Sequence, residues 1–253
     1  LTDVVQKVES LLRSFPNSPT RFNIRGAAQQ RQGNLVEALE SCNDAIRLAP
    51  DYAEAYSNRG NTLNDMGQLE AALESYNEAI RLKPDYAEAY SNRGNTLTYL
   101  DQPEAALESY NEAIRFKPDF AEAYNNRGNA YADLRQHSSA MQDYCAALAR
   151  DPGYADALYN RGLLYAELGR LQEAIEEYSI CLGLEPGCSQ TWNNRGAAYA
   201  ELGDYNQAVC DFNRALELDP NNSNACANRS RALEERTCRF ARRRSSGAGK
   251  AGR

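Results

Sequence analysis

Residues 53–86 read AEAYSNRGNTLNDMGQLEAALESYNEAIRLKPDY, and residues 87–120 repeat them as AEAYSNRGNTLTYLDQPEAALESYNEAIRFKPDF, identical at 27 of 34 places. The same 34-residue spacing extends in both directions. Proline stands at 16, 50, 84, 118, 152, 186 and 220, and arginine at 25, 59, 93, 127, 161, 195 and 229. Fixed-period self-similarity means stacked units, each too small to bury its own apolar face. Arrays of this kind present extended binding surfaces.

With residues 53–86 numbered as repeat positions 1–34, Tyr56, Gly60 and Leu63 fall at positions 4, 8 and 11 and share one helical face. Ala72, Tyr76 and Ala79, at positions 20, 24 and 27, share another. Two amphipathic helices per unit follow, with Gly67 in the turn between them and Pro84 stopping the second. Position 20 is alanine in every unit (Ala38, Ala72, Ala106, Ala140, Ala174, Ala208). Position 24 is Tyr76, Tyr110, Tyr144, Tyr178 and Phe212, with Cys42 in the first unit.

This series of large, Gly, large, Ala, aromatic, Ala and Pro resembles the tetratricopeptide repeat over six units: 19–52, 53–86, 87–120, 121–154, 155–188 and 189–222. The resemblance implies an all-α, right-handed superhelical solenoid of stacked antiparallel helix pairs. Residues 1–18 fall on the second helix of a truncated preceding repeat, with Val4, Val8, Leu11 and Leu12 as its apolar stripe. Since the chain opens on Leu1 inside a repeat, it is expected to be a piece of a longer protein. Residues 223–236 suit a capping helix, which brings the expected total to fourteen helices. Residues 237–253 carry six basic side chains and no acid, so that stretch is +6 and the rest of the −7 chain is −13. Such a composition predicts a disordered basic tail. Its functional alternatives are a nucleic-acid, membrane or import-signal contact through Arg242, Arg243 and Arg244, or a kinase site at Ser245.

Catalysis finds few parts here. There is one histidine, His137, and the seven cysteines form no Cys-x-x-Cys pair. Acyl-transfer triads and zinc sites therefore lack their ligands, and no enzyme activity, cofactor or metal is expected. The acids recur with the helical period, as a solvated face does. No apolar run approaches the ~20 residues of a membrane span. The unpaired cysteines fit a reducing, cytoplasmic setting.

The functional expectation rests on the face of the first helix opposite positions 4, 8 and 11. At ~100° per residue, positions 2, 5, 6, 9 and 13 cluster there, and in tetratricopeptide stacks that side lines the concave channel. Position 6 is Asn58, Asn92, Asn126, Asn160, Asn194 and Asn228, and position 9 is Asn61, Asn95 and Asn129. Position 2 is Glu54, Glu88, Glu122 and Asp156. An asparagine offers two donors and an acceptor, so a row of them can pair with the backbone of an extended peptide whatever its side chains. The bland alternative is asparagine bonding to neighbouring helices or water. The position-6 row resembles that in the repeat superhelix of O-linked N-acetylglucosamine transferase, where such asparagines hold a peptide backbone; the first unit departs from it with Ile24. The carboxylate clamp of chaperone-binding repeats would need cations at positions 2, 5 and 6, and these are absent.

The arginine row at position 7 is expected on the flank, its stem packed between repeats and its guanidinium reaching solvent or an acid. An anion-binding ladder is the rival reading. Two functional classes follow: a non-enzymatic scaffold holding an extended neutral or basic segment and able to self-associate, or the targeting domain of a larger enzyme such as a glycosyltransferase or sulfotransferase. Neither implies specific nucleic-acid binding.

Overall fold

A computed structural model describes residues 17–248, and the side chains of 17–239. Within it the chain forms two compact units, one ending at Leu134 and the other beginning at Arg135. The first holds α1 (Pro19–Gln30), α2 (Leu35–Leu48), α3 (Ala53–Asp65), α4 (Leu69–Leu82), α5 (Ala87–Tyr99), α6 (Pro103–Phe116) and α7 (Ala121–Asp133). The second holds α8 (His137–Arg150), α9 (Ala155–Glu167), α10 (Leu171–Leu184), α11 (Ser189–Glu201), α12 (Tyr205–Leu218) and α13 (Ser223–Ala248). These thirteen helices, with no strand among the described residues, are an all-α array of repeated helix pairs. The helix expected within 1–18 lies outside the described residues.

Helix ends follow from the repeated residues. The residue before each repeat proline is pushed out of the α region by the ring that follows it, and Lys83, just before Pro84, accordingly has φ −134° and ψ 87°. Lys117 before Pro118 adopts φ −133° and ψ 84°. At position 15 every unit turns through a left-handed residue: Gly33, Gly67, Gly169 and Gly203, but Asp101 (φ 56°) and Arg135 (φ 58°) in the third and fourth units. The Gly67 turn closes with Gln68 N–H on Leu63 C=O at 2.9 Å and Gly67 N–H on Asn64 C=O at 2.9 Å, the paired bonds that satisfy orphan carbonyls at a helix end.

Packing within each unit is sequential. Each helix packs on the next in the chain, and the first helix of one pair also touches the first helix of the following pair. Positions 20, 24 and 27 form the core as expected: Ala72 and Ala79 are fully buried, and Tyr76 and Tyr110 nearly so. Position 8 must be glycine because the aromatic ring at position 24 lies against it. A Cβ on Gly60 would stand 2.6 Å from the Tyr76 ring, and one on Gly94 2.6 Å from Tyr110.

The buried face of the first helix is wider than positions 4, 8 and 11. Position 3 (Ala55, Ala89, Ala123, Ala157, Thr191, Ala225) is fully buried, and position 10 (Thr62, Thr96, Ala130, Leu164, Ala198, Ala232) nearly or fully so. Position 5, expected on the open face, is buried at Asn23, Ser57, Ser91, Asn125 and Asn193. A first helix meets its own partner and further first helices along the row, so small residues are required on its sides as well as its core stripe.

α13 corrects the reading of the C-terminus. It caps α12 through Ala225 and Ala232 but continues to Ala248, beyond the 236 boundary and through much of the stretch expected to be disordered. Residues 237–246 contain Ala and four Arg with no Pro or Gly, so helical propensity carries the helix onward once the cap has nucleated it. Residues 249–253 lie outside the described residues.

Two outcomes are expected. Gly94→Ala should lose ~1–3 kcal/mol in denaturant titration, although alanine is the better helix former by ~1 kcal/mol, because the overlap with Tyr110 outweighs propensity. Amides at 134–139 should exchange faster than those around Gly169 or Gly203, since Arg135 holds φ > 0 against its Cβ, and Arg135→Gly should slow them.

Candidate functional site

The position-6 and position-9 asparagines are half-buried on the first helices, and the structure brings them together across successive repeats. In the first unit, Asn58 Nδ2 donates to Asn23 Oδ1 at 2.8 Å, Asn92 Nδ2 to Asn61 Oδ1 at 2.9 Å, and Asn126 Nδ2 to Asn95 Oδ1 at 3.0 Å. The position-24 tyrosine joins each junction: Tyr76 Oη donates to Asn61 Oδ1 and Tyr110 Oη to Asn95 Oδ1, both at 2.8 Å. Thr96 Oγ1 adds a bond to Asn64 Oδ1 at 2.9 Å. In the second unit, Asn194 Nδ2 donates to Tyr159 Oη at 3.0 Å and Asn228 Nδ2 to Asn193 Oδ1 at 3.1 Å. Asn129 and Asn160 are also half-buried.

The ladder is thus an inter-repeat brace first. One amide hydrogen of each Asn58 and Asn92 is committed to the neighbouring repeat, and their Oδ1 atoms take no bond among the described residues. Asn126 and Asn194 differ: their Oδ1 atoms accept from Asn125 and Asn193 at 3.2 Å. A shallow cavity of about 180 Å³ opens over the Asn61 junction, lined by Gln30, Asn61, Asn64, Asp65, Asn92, Asn95 and Tyr76.

The acids at position 2 are engaged as well. Glu54 pairs with Lys83 at 3.1 Å and Glu88 with Lys117 at 2.8 Å, each lysine coming from the end of the same repeat. Burial would raise the Glu88 carboxyl, but the Lys117 ammonium, a backbone N–H and the Lys83 charge together outweigh it and hold the group below its ordinary range. Lys83 and Lys117 also cover the rings of Tyr86 and Phe120. Glu122 and Asp156 are exposed, and Asp156 borders a cavity of about 200 Å³ with Tyr159, Cys181, Cys188 and Gln190.

The position-7 arginines are structural and bridge two second helices. Arg59 Nε donates to Ser75 Oγ at 3.0 Å and Arg93 Nε to Ser109 Oγ at 3.1 Å within their own repeats, while Arg93 Nη1 reaches back to Asn77 of the preceding repeat at 3.1 Å. Their guanidinium carbons stand 5.0 Å and 5.2 Å from the ring centroids of Tyr56 and Tyr90. In the second unit the position-23 serine becomes an acid: Arg161 meets Glu177 at 2.7 Å, and Arg195 grips Asp211 through two bonds of 2.8 and 2.9 Å. The expected flank position with an acid in reach is met at Arg161 and Arg195, whereas the serines sixteen residues on and the asparagine sixteen residues back were not foreseen. The switch from Ser41, Ser75 and Ser109 to Asp143, Glu177 and Asp211 was the signal.

Among the described residues no cluster of His, Cys, Asp or Glu could hold a metal ion. Burial pushes the Cys42 thiol up to about 11, the opposite of an activated nucleophile.

Models of the tetratricopeptide repeat match residues 41–74, 126–187 and 189–222, and a TPR repeat model matches 60–100 and 94–135. The chain belongs to the tetratricopeptide repeat family, whose units are protein-interaction modules. No curated protein matches it in sequence. Among solved structures, a chain of the APC/C hetero-tetramer Cut9–Hcn1 superposes with TM-score 0.81 at 17% identity, covering 91% of this chain but 46% of that one. YrrB, described as a TPR protein with an unusual peptide-binding site, gives 0.59 at 23% identity over 76% of this chain and 99% of its own. MamA gives 0.58 at 28% identity over 64% and 94%. No helix among the described residues is long and apolar enough to cross a membrane.

The braced tyrosines carry a pH dependence. Burial raises the Tyr76 phenol well above its usual value and pushes Tyr110 up to about 12. Their contribution to stability is intact below the unfolded tyrosine value of ~10 and lost as pH rises through the folded one, by ~1.4 kcal/mol per pH unit per tyrosine. Urea titrations between pH 10 and 12 should show this slope, and Tyr110→Phe should reduce it.

Proposed function

We propose that the chain is a non-enzymatic scaffold whose first-helix face holds an extended, neutral or basic peptide segment. The observation that carries this reading is the cavity over the Asn61 junction. Six of its seven lining residues bear an amide or carboxylate, and the free Oδ1 of Asn92 is positioned to accept a backbone N–H. Asn58 and Asn92 offer Oδ1 to the peptide backbone, Asn61, Asn95, Asn126 and Asn194, whose Oδ1 atoms already accept within the array, offer amide hydrogens, and Asn129 and Asn160 complete the row. Glu54, Glu88, Glu122 and Asp156 bias the choice of side chain. Their lysine partners temper that bias at Glu54 and Glu88, where a ligand cation competes with Lys83 and Lys117. YrrB, which shares the fold and is described as binding peptide, supports the class of ligand. The free cysteines support a reducing, cytoplasmic setting.

Each neutral hydrogen bond contributes ~0.5–1.5 kcal/mol net, so affinity comes from several rungs together. In a capped peptide-library screen, Asn92→Ala with Asn126→Ala and Asn160→Ala should weaken basic peptides far more than three substitutions on exposed second-helix positions, with helicity retained by circular dichroism. Glu88→Lys with Glu122→Lys should shift preference toward acidic peptides. A folded triple variant that binds like the parent, or a parent that prefers acidic C-termini, overturns the reading.

A further inference from the structure

The junction that Asn61 closes in the first unit is open at the corresponding place in the second. Position 9 is Ala197 instead of asparagine, position 12 is Ala200, and position 24 is Phe212, which lacks the hydroxyl that Tyr76 donates. Asn228 still makes the position-6 brace, to Asn193. What is lost is the polar plug itself, and the cavity at this place is about 390 Å³, against about 180 Å³ over the Asn61 junction. Its floor is apolar, made by the Phe212 and Tyr205 rings with Ala197, Ala200 and Ala232. Its rim carries Glu201, Glu235 and Arg231. All three are exposed and none has a hydrogen bond or ion pair among the described residues.

An apolar floor beneath a rim of net charge −1 suits a side chain with a long aliphatic stem and a cationic end. The stem removes the alanine and ring surfaces from water, and the charge reaches two uncompensated carboxylates. An acidic side chain would meet like charge, and a short one would leave the floor wet. We propose that this cavity is a specificity pocket for a single lysine side chain of a bound peptide. The pocket takes its ligand class from the peptide-binding reading above but is defined by its own residues, so it is tested separately.

The probe is Nα-acetyl-lysine methylamide, titrated into the protein with alanine methyls labelled for NMR. Shifts should concentrate on Ala197, Ala200 and Ala232. The norleucine analogue should bind about tenfold more weakly and the glutamate analogue should produce no shifts at these methyls. Ala197→Asn with Phe212→Tyr, which rebuilds the plug seen at Asn61 and Tyr76, should abolish the shifts while leaving thermal stability at or above the parent's. Ala200→Leu fills the floor by a second route and should do the same. Arg231→Ala should tighten binding severalfold, and Glu201→Gln with Glu235→Gln should weaken it about tenfold. If basic peptides bind the parent and lose affinity in the asparagine variants, while the lysine probe leaves Ala197, Ala200 and Ala232 unmoved, the pocket assignment is wrong and the groove reading stands. If the probe binds here but no peptide binds the parent, the groove reading fails and the pocket's assignment to a bound peptide fails with it. Equal binding of lysine and norleucine probes overturns the lysine assignment.

Discussion

Everything in this array depends on one close approach: an aromatic ring at position 24 set against a helix that has no side chain at position 8. The ring fills the space between the two helices of a pair, and the missing Cβ lets their axes come near enough for positions 20 and 27 to be alanine. The contact recurs at Gly60 with Tyr76, Gly94 with Tyr110, Gly162 with Tyr178 and Gly196 with Phe212. The first repeat keeps the constraint without the ring. There Cys42 replaces the ring, and a Cβ on Gly26 would still stand 2.8 Å from its sulfur.

Polar groups do the lateral work that apolar ones do within a pair. Arginine at position 7 ties its own second helix to the preceding one, and asparagine at position 6 ties its helix to the preceding first helix. These bonds fix the repeat-to-repeat step, and the groups left over from them face outward. Structure and recognition therefore draw on the same amides. A residue such as Asn92 spends one N–H on Asn61 and keeps an acceptor for a ligand, while Asn126 and Asn194 spend both ends on the protein.

The period made the helix pairs, the turns and the positions of Ala72, Tyr76 and Ala79 legible, because a core stripe leaves its spacing in the chain. The sides of the first helix were less so. Ser57, Ser91 and Asn125 look like surface residues, yet they are buried, on first helices that pack against the first helices of neighbouring repeats. Ala55 and Thr62 could have revealed this, since small residues in phase mark close packing. The candidate site was legible as rows of residue types, whereas its connectivity was not. Nothing local to Glu88 announces that Lys117 neutralises it, or that Tyr110 holds Asn95 in place. The extent of α13 was hidden for the opposite reason: charge density argued for disorder, while alanine and arginine propensity argued for helix.

The change of partner under the position-7 arginines sets different evolutionary freedoms along the chain. Where the partner is a serine, as at Ser75, losing Arg59 leaves a hydroxyl that still donates to Ala71 C=O at 2.9 Å, so a single step away from arginine is open. Where it is Asp211, almost fully shielded beneath Arg195, the same step strands a buried charge at a cost of ~3–5 kcal/mol. Drift at the later junctions must therefore pass through two coordinated substitutions, and the acid, once acquired, works as a ratchet that keeps the arginine in place.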